Sequence, residues 1–303
     1  MTTITLTQPS SRAAAGTLMA GTATITVGFS VAVSALLTTA PVLATQAARY
    51  LIGAVALLAV ARVRRLPLPR PTRREAGRIL LLAATGCAGF NLCLVAALRH
   101  AEPGAVGVVL GCVPLALAVA GPLLARRRPG GRVLVAAALA VAGAAVVEGG
   151  GTMAPLGFAL ALGALAGECA FSILAVPLLP RLGALAVSLY SCAATAVMLA
   201  AASPLADGVA ALRAPSTSEG AAIVFLGLAV TAGSFLAWYG GIARLGIERA
   251  GLFAGLFPVA ALLGGVALGR GAIGPAEAAG TALVLAGLGV GLVSRGHRRD
   301  TIA

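Results

Sequence analysis

Charge is scarce in this sequence, and one kind of charge is missing. Only 10% of the 303 residues are charged, against about 25% in soluble domains. There is no lysine, so all 22 basic residues are arginine, and they face nine acidic residues. Apolar residues make up 59% of the chain, and the mean hydropathy is +1.01. Such a chain cannot cover a surface that faces water, so we expect lipid to be its main solvent.

The residues of common catalytic and metal sites are also few. The two histidines, His100 and His297, lie in a short loop and in a tail. The cysteines lie inside apolar runs and show no CxxC spacing: Cys87, Cys93, Cys112, Cys169 and Cys192. We interpret them as small buried thiols. Without a Walker motif, ATP is not expected to drive the protein directly. The sequence therefore predicts no enzyme, no metal site and no cofactor.

Ten apolar runs are long enough to cross a bilayer, which takes about 20 residues. They lie at residues 16–37, 43–62, 76–98, 104–125, 132–148, 155–178, 183–202, 220–242, 248–269 and 276–294. Their length and the lack of period-2 alternation exclude strands, so we predict an all-α membrane protein. The first run is too long for a signal peptide, so no cleaved leader is expected. Residues 1–15 and 295–303 are predicted to be tails.

The distribution of arginine predicts the orientation. A net charge of +13 would also suit nucleic-acid binding. Here, however, the arginines lie between apolar runs, so we expect lipid rather than nucleic acid as a partner. The two tails and the joins after every second run hold 18 of the 22 arginines. Only Arg49, Arg99, Arg213 and Arg270 fall on the other side. Because arginine is enriched in cytoplasmic segments, both termini are predicted to be cytoplasmic.

One stretch of the chain occurs twice. When residues 97–147 are shifted by 144 positions onto residues 241–291, glycine, proline and arginine positions coincide: Gly107/Gly251, Gly111/Gly255, Pro114/Pro258, Gly121/Gly265 and Arg126/Arg270. We interpret this as an internal duplication. It divides the chain into a first five-helix repeat at 16–148 and a second at 155–294. Five is an odd number, so the second repeat should enter the membrane inverted, as in many secondary transporters.

The chain resembles the EamA-type ten-helix transporters of the drug/metabolite transporter superfamily. The resemblance is carried by Arg49-Tyr50, by Ala97-Leu98 before Pro114, by residues 242–246 before Pro258 and by the Gly/Ala-rich fifth and tenth runs. It implies two five-helix bundles around a central cavity that exports amino acids or other small metabolites. Many members resemble each other in carrying Glu after the fourth and ninth spans, near where this chain has Arg126 and Arg270.

Glu168 is the acidic residue that stands apart, because it lies midway along the sixth run. A carboxylate at bilayer depth is costly and usually faces the protein interior. Burial favours its neutral form, so it could carry protons or pair with a substrate ammonium. Alternatively, it is a protonated side chain hydrogen-bonded to a neighbouring helix.

Two further polar residues could contact substrate. Asn91 lies inside the third run, where an amide either contacts substrate or joins helices. Arg49 lies about two turns from the external end of the second run. Its guanidinium could hold a substrate carboxylate, or it could extend outward to the interface.

Aromatic and hydroxyl groups also cluster. Phe235 and Phe257 could line a pocket, although packing or lipid contact is the favoured interpretation. Trp238 and Tyr239 could do the same, or could belong to an interfacial belt. A stripe of hydroxyls at i+4 spacing in the first run is interpreted as cavity lining: Thr22, Thr26, Ser30 and Ser34.

Pro114 and Pro258 each lie inside an apolar run. A proline lacks the N–H of a helix and crowds the carbonyl four residues earlier, so each helix should kink or loosen. We interpret the two prolines as hinges between the halves, with static kinks as the alternative.

The sequence as a whole predicts a secondary transporter of a small molecule. We expect it in the inner (plasma) membrane of a bacterial cell, working by alternating access, with proton exchange through Glu168 as the expected coupling. A non-transporting scaffold or sensor subunit and an uncoupled facilitative carrier are the alternatives. Substrate, direction, coupling ion and oligomeric state do not follow from the sequence.

Overall fold

The computed structural model describes residues 11–37, 40–267, 269 and 273–292. In that part of the chain, ten helices are long and apolar enough to cross a membrane. They are α1 Ser11–Val31, α2 Val42–Val63, α3 Arg73–Ala97, α4 Pro103–Leu124, α5 Gly131–Glu148, α6 Pro155–Ala175, α7 Leu179–Ala206, α8 Thr217–Leu245, α9 Ile247–Ala267 and α10 Pro275–Leu292. The prediction of an all-α membrane protein with ten spans is confirmed.

The first helix begins earlier than predicted. Residues 11–15 belong to α1, so the expected loose tail at 1–15 is wrong for its last five residues. Three consecutive alanines follow Arg12, and alanine has the highest helix propensity, so the helix extends beyond its apolar part. Residues 1–10 and the predicted tail at 295–303 lie outside the described residues.

Two helices begin at capping boxes. The Thr72 hydroxyl accepts the backbone N–H of Glu75, and the Glu75 carboxylate accepts the N–H of Thr72. Ser216 and Glu219 make the same pair of bonds at the start of α8. Each box satisfies two N–H groups that a helix start leaves unpaired. The boxes place the starts of α3 and α8 three residues before the apolar runs.

Most boundaries of the helices recur at a spacing of 144 positions, the main exception being α7, which begins seven residues earlier than α2 predicts. The capping residues Thr72 and Ser216 are 144 positions apart. Shifted by that number, α5 coincides with α10 at both ends, and Ser11 of α1 coincides with Pro155 of α6. The correspondence therefore extends well beyond the residues in which the sequence displayed it.

Corresponding helices also pack on one another: α2 on α7, α4 on α9 and α5 on α10. The α5–α10 contact is so close that a Cβ atom at Gly143 would lie 2.5 Å from the carbonyl oxygen of Gly280. Because lipid supplies no hydrophobic force between apolar helices, such close backbone packing is a main source of their association.

Ion pairs and hydrogen bonds between the joins show which joins lie at the same end of the bundle. At one end, Arg181 forms an ion pair with Glu75, and Arg127 forms one with Glu248. These residues lie in or beside the joins after α2, α4, α6 and α8. At the other end, the joins after α1, α3, α5 and α7 meet through the Ala44 N–H on Asp207 and the Thr152 hydroxyl on Glu102. Alternate joins therefore share an end, as consecutive spans require.

Candidate functional site

A cavity of about 160 Å³ lies between seven of the ten helices. Its lining comes from α1, α2, α3, α4, α6, α8 and α9: Ala23, Thr24, Val27, Arg49, Tyr50, Gly86, Phe90, Leu110, Gly111, Val113, Glu168, Phe171, Val230, Ser234, Phe235, Trp238, Ala254, Phe257 and Pro258. Pockets for drug-sized ligands occupy about 300–1,000 Å³. This cavity therefore suits a small metabolite.

The two halves of the chain contribute corresponding positions to this cavity. Six pairs of lining residues are separated by 144 positions: Thr24/Glu168, Val27/Phe171, Gly86/Val230, Phe90/Ser234, Leu110/Ala254 and Val113/Phe257. The backbone positions are shared, but the side chains differ in chemistry. In particular, a hydroxyl on α1 corresponds to the carboxylate of Glu168 on α6.

Glu168 faces the cavity and is half-buried. Within the described residues, none donates a hydrogen bond to its carboxylate, and the three ion pairs found there involve Glu75, Glu219 and Glu248 instead. The Thr24 hydroxyl, by contrast, bonds back to the carbonyl of Ala20 in its own helix, at 2.9 Å. Glu168 is therefore the polar group of this pair that can accept a proton or a ligand.

Arg49 also lines the cavity, so it does not extend outward to the membrane interface. Its Nε atom donates to the hydroxyl of Thr231 on α8 at 2.8 Å. Its guanidinium carbon lies 5.2 Å from the centre of the Tyr50 ring, within the range of a cation–π contact. Arg49 thus joins α2 to α8 at the cavity wall.

Asn91 is buried and is absent from the described lining of the cavity. Its amide donates to the carbonyl of Cys87 at 2.7 Å and to the hydroxyl of Tyr50 at 3.3 Å. Of the two roles left open by the sequence, this geometry matches the joining of helices. Asn91 fixes the hydroxyl of Tyr50, whose ring lines the cavity.

The carbonyl that Asn91 satisfies belongs to a π-helical segment of α3, Leu82–Gly89. A second π-helical segment, Leu226–Ser234, occupies the corresponding part of α8. There the Ser234 hydroxyl lies 3.3 Å from the carbonyl of Ala229. π-Helical turns are rare and often occur at functional sites. Both segments contribute residues to the cavity, and the sequence offered only their glycine and alanine content as a signal.

Trp238 and Tyr239 are both buried, which excludes an interfacial belt for them. Trp238 lines the cavity, and its indole N–H donates to the Ser172 hydroxyl at 3.0 Å. Tyr239 lies behind the described lining, with its hydroxyl 3.4 Å from the carbonyl oxygen of Phe171. Phe171 itself was missed by the sequence analysis. Its ring centroid lies 4.6 Å from that of Phe235, and both rings line the cavity.

Comparison with known proteins agrees with this architecture. Residues 14–148 match the model of the EamA-like transporter family. The predicted resemblance to EamA-type transporters is thereby confirmed. A Bacillus subtilis (strain 168) protein described as "Uncharacterized transporter YetK" is 25% identical over 236 residues, which cover 75% of this chain and 72% of that protein. The ten candidate spans fit an EamA-type integral membrane protein.

One solved structure supports the fold of this chain, and the fold alone. It is a crystal structure of a protein that is 24% identical and matches with a TM-score of 0.80. The match covers 91% of this chain and 96% of the other.

The hydroxyl stripe of α1 is not part of the described cavity lining. Among the described residues, the lining includes Thr24 but neither Thr26 nor Ser30. The Ser30 hydroxyl bonds to the carbonyl of Val27 at 2.6 Å, and Thr22 is exposed. The i+4 spacing therefore marked a neighbouring face of the helix.

Both helices that contain the expected hinges are interrupted just before the proline. In α4, the α-helical parts Pro103–Leu110 and Val113–Leu124 are separated by a turn at Gly111 and Cys112. In α9, a 3₁₀ turn at Phe253–Gly255 precedes the part that contains Pro258. Pro114 and Pro258 lie in the first turn of the second part, where a missing N–H costs little. Pro258 lines the cavity, and Pro114 is buried beside it.

The packing around the cavity is not symmetric. On α9, Gly264 is buried against Phe29 of α1. A Cβ atom added at Gly264 would lie only 3.1 Å from the Phe29 ring. The corresponding pair, Ala120 of α4 in the first half and Ile173 of α6 in the second, instead lines an open groove of about 1,010 Å³ between α3, α4 and α6. Of these two equivalent contacts between the halves, the one between α1 and α9 is thus closed, and the one between α4 and α6 is open.

Arg126 follows α4 two residues after Leu124 and has a φ of 52°. It is exposed and outside the described lining of the cavity, and Arg270 lies outside the described residues. In the part of the chain that the structure describes, no group of three or more metal-ligating side chains occurs.

Proposed function

We propose that this EamA-type protein is a secondary exporter of amino acids or other small metabolites. It works by alternating access, and Glu168 couples export to proton movement. The protein belongs in the inner (plasma) membrane of a bacterial cell, with both termini cytoplasmic. The support comes from the cavity, its unpaired carboxylate and the unequal packing of two corresponding halves.

The first step of the proposal is that the halves are inverted. Five spans separate corresponding positions, and an odd number of crossings reverses the direction of the second half. The packing of α2 on α7, α4 on α9 and α5 on α10 supports an axis that relates the halves. The contact of α1 with α8 and α9, and of α6 with α3 and α4, supports it further.

The asymmetry carries the second step. If the halves are equivalent in sequence position, each can adopt the packing of the other at little cost. The contact between Phe29 and Gly264 then opens while Ala120 and Ile173 close, and the cavity becomes accessible from the opposite end. With cytoplasmic termini, the observed arrangement is closed near the external end and open on the cytoplasmic half of α4.

The third step concerns coupling. An unpaired carboxylate away from water favours its neutral form, and access to water favours release of the proton. The other titratable groups near Glu168 are on neighbouring elements. Arg49 and Tyr50 line the cavity with it, and Tyr239 and Cys87 lie on adjacent helices. The Nε atom of Arg49 is bonded to Thr231, and none of the ion pairs among the described residues includes Glu168. Glu168 is therefore free to alternate between a proton and the substrate.

A proteoliposome assay tests the proposal. Pooled amino acids and amines are screened for accumulation driven by a pH gradient, and active compounds are repeated with Glu168→Gln. This variant keeps the shape of the side chain but cannot titrate, so we expect it to lose gradient-driven accumulation. Glu148→Gln is the matched control, because Glu148 is also half-buried but lies outside the described lining of the cavity.

The same assay separates the alternatives. Downhill movement without any response to pH, in both wild type and Glu168→Gln, would indicate an uncoupled facilitative carrier. Accumulation by Glu168→Gln equal to that of wild type would assign Glu168 a structural role and reject the coupling. A protein that moves no compound of the screen in either direction would favour a scaffold or sensor.

A further inference from the structure

The cavity treats the two signs of charge differently. Its anion, Glu168, has no partner among the described residues. Its cation, Arg49, is already bonded to Thr231 through Nε and lies against the Tyr50 ring. A guanidinium can hold a carboxylate bidentately along its Nε edge or between its two terminal nitrogens; the bond to Thr231 occupies the first of these and leaves only the second. The cavity therefore offers more to a positive ligand than to a negative one.

The rings beside Glu168 strengthen this difference. Phe171 lies three residues after Glu168 on α6, so the two side chains share a face of the helix. The Phe171 ring lies 4.6 Å from Phe235, and Phe235 lies 6.0 Å from Tyr50, centre to centre. All three rings line the cavity. Aromatic faces attract ammonium groups, most strongly where water is excluded.

The remaining wall limits the body of the ligand. Val27, Val113 and Leu110 present aliphatic side chains to the cavity, and its volume is about 160 Å³. Trp238 adds an indole whose N–H is already bonded to Ser172, which leaves its ring for apolar contact. A negative group on the ligand would find only the terminal nitrogens of Arg49 among the described lining residues.

We infer that the substrate is a small organic monocation, a protonated amine or a quaternary ammonium with a compact apolar body. Its positive charge pairs with Glu168 and rests against the rings of Phe171 and Phe235. This inference rests on the proposed function, and it narrows the substrate class from metabolites in general to cations rather than zwitterionic amino acids.

Trp238 permits a direct binding test, because it is the single tryptophan of the chain and it lines the cavity. Its fluorescence is titrated in purified full-length protein with phenethylamine, phenylalanine and phenylacetate, which carry one ring and a positive, zwitterionic or negative head. Butylamine serves as a smaller cation. We expect saturable changes with the amines and at least tenfold weaker binding of phenylalanine and phenylacetate.

Variants of Glu168 assign the charge. Glu168→Gln is expected to weaken amine binding at least tenfold. Glu168→Asp keeps the negative charge and should retain most of the affinity for amines. Thermal unfolding confirms that each variant is folded. If Glu168→Gln does not fold, Phe171→Leu replaces it and should weaken amine binding severalfold. Phenylalanine binding as tightly as phenethylamine, failure of both amines to bind, or unchanged amine affinity in the folded Gln variant would overturn the inference.

Counterflow in proteoliposomes keeps this inference separate from the proposed function. Amine binding that depends on Glu168, without any exchange across the membrane, would support the cation site and reject transport. Transport of phenylalanine in preference to phenethylamine would support transport and reject the cation site.

Discussion

Gly28 offers the sharpest test of the proposed exchange between the two halves. It lies on α1, where it meets α9 with no room for a side chain. A Cβ atom at Gly28 would lie 2.5 Å from the carbonyl oxygen of Phe257 and 2.6 Å from the Cβ atom of Ala260. Both neighbours are fixed, since one is backbone and the other is a side chain of a single atom. Gly28→Ala therefore forces α1 and α9 apart.

The size of the effect follows from this overlap. Adding a methyl group to a packed interior costs about 1–3 kcal/mol. The cost falls only on the arrangement in which α1 and α9 touch, and the opposite arrangement does not bear it. The equilibrium between the two should therefore shift about 5- to 150-fold toward the state with α1 and α9 apart.

A cross-link measures this shift. In a background without the native cysteines, Ala120→Cys and Ile173→Cys are introduced on the two walls of the open groove. A disulfide needs Cα atoms within about 7 Å, so it should form readily only when α4 and α6 close. We expect Gly28→Ala to raise the rate of this cross-link severalfold. Gly265→Ala, on α9 at a position with nothing within 4 Å, is the matched control and should leave it unchanged.

Equal cross-linking rates in the Gly28→Ala and Gly265→Ala proteins would refute the exchange. In that case, the groove beside α4 would be a fixed feature of the lipid-facing surface. A loss of folded protein in Gly28→Ala alone would show that the contact between α1 and α9 is required in every state, which also contradicts the exchange.

Three other predictions follow from the packing and the charge distribution. Gly143→Ala should lower the free energy of unfolding by about 1–3 kcal/mol, because its Cβ atom would meet the backbone of Gly280 and Val284. Gly289→Ala, at an exposed position with nothing within 4 Å, should not lower it. Thermal unfolding in detergent compares the two variants, and equal stabilities would contradict the reasoning. Replacing Pro114 and Pro258 by Ala should let the two parts of α4 and of α9 join and should slow turnover more than it weakens binding, while Pro122→Ala, inside the second part of α4, leaves turnover unchanged; a double variant with normal turnover would make the breaks static. Reporter fusions at Ala303 and in the 149–154 join should report opposite sides of the membrane, and a report from the same side would remove both the topology and the inversion.

The number and class of the helices could be predicted because run length alone identifies a membrane span. The ends of the helices could not be predicted as well. Arg73, Glu75 and Glu219 lower the hydropathy of the first turns of α3 and α8, although the capping boxes there start the helices. The pattern of Thr or Ser followed three residues later by Glu was a readable signal, and hydropathy obscured it.

The face of each helix was harder to predict than its existence. In a soluble helix, polar residues mark the outer face, whereas here both lipid and protein contact apolar side chains. Hydroxyls do not resolve this ambiguity, because Thr24 and Ser30 each bond to a carbonyl of their own helix and need no outside partner. The i+4 spacing of Thr26 and Ser30 was therefore weak evidence for cavity lining, and the described lining contains Thr24 instead.

Trp238 illustrates how the predicted end of a run leaves two roles open for a residue near it. The sequence ended the eighth run at residue 242, which placed Trp238 near the interface, where an aromatic belt is common. The helix continues to Leu245, and the indole is buried against Ser172. Glu168 needed no such boundary. A carboxylate in the middle of a run is costly wherever the run begins, so its position pointed to the interior.

The single carboxylate has a physical reason in a cavity built from two corresponding halves. Thr24 and Glu168 occupy corresponding positions, so a second glutamate at Thr24 would place two like charges in one small cavity. Two neighbouring carboxylates do not ionise together, and one would hold a proton throughout the physiological range. In the proposed mechanism, one carboxylate lets the same group bind the proton or the substrate in both arrangements of the halves. The proposed exchange requires halves that correspond in position, and the proposed competition between proton and cation requires a site that only one half supplies.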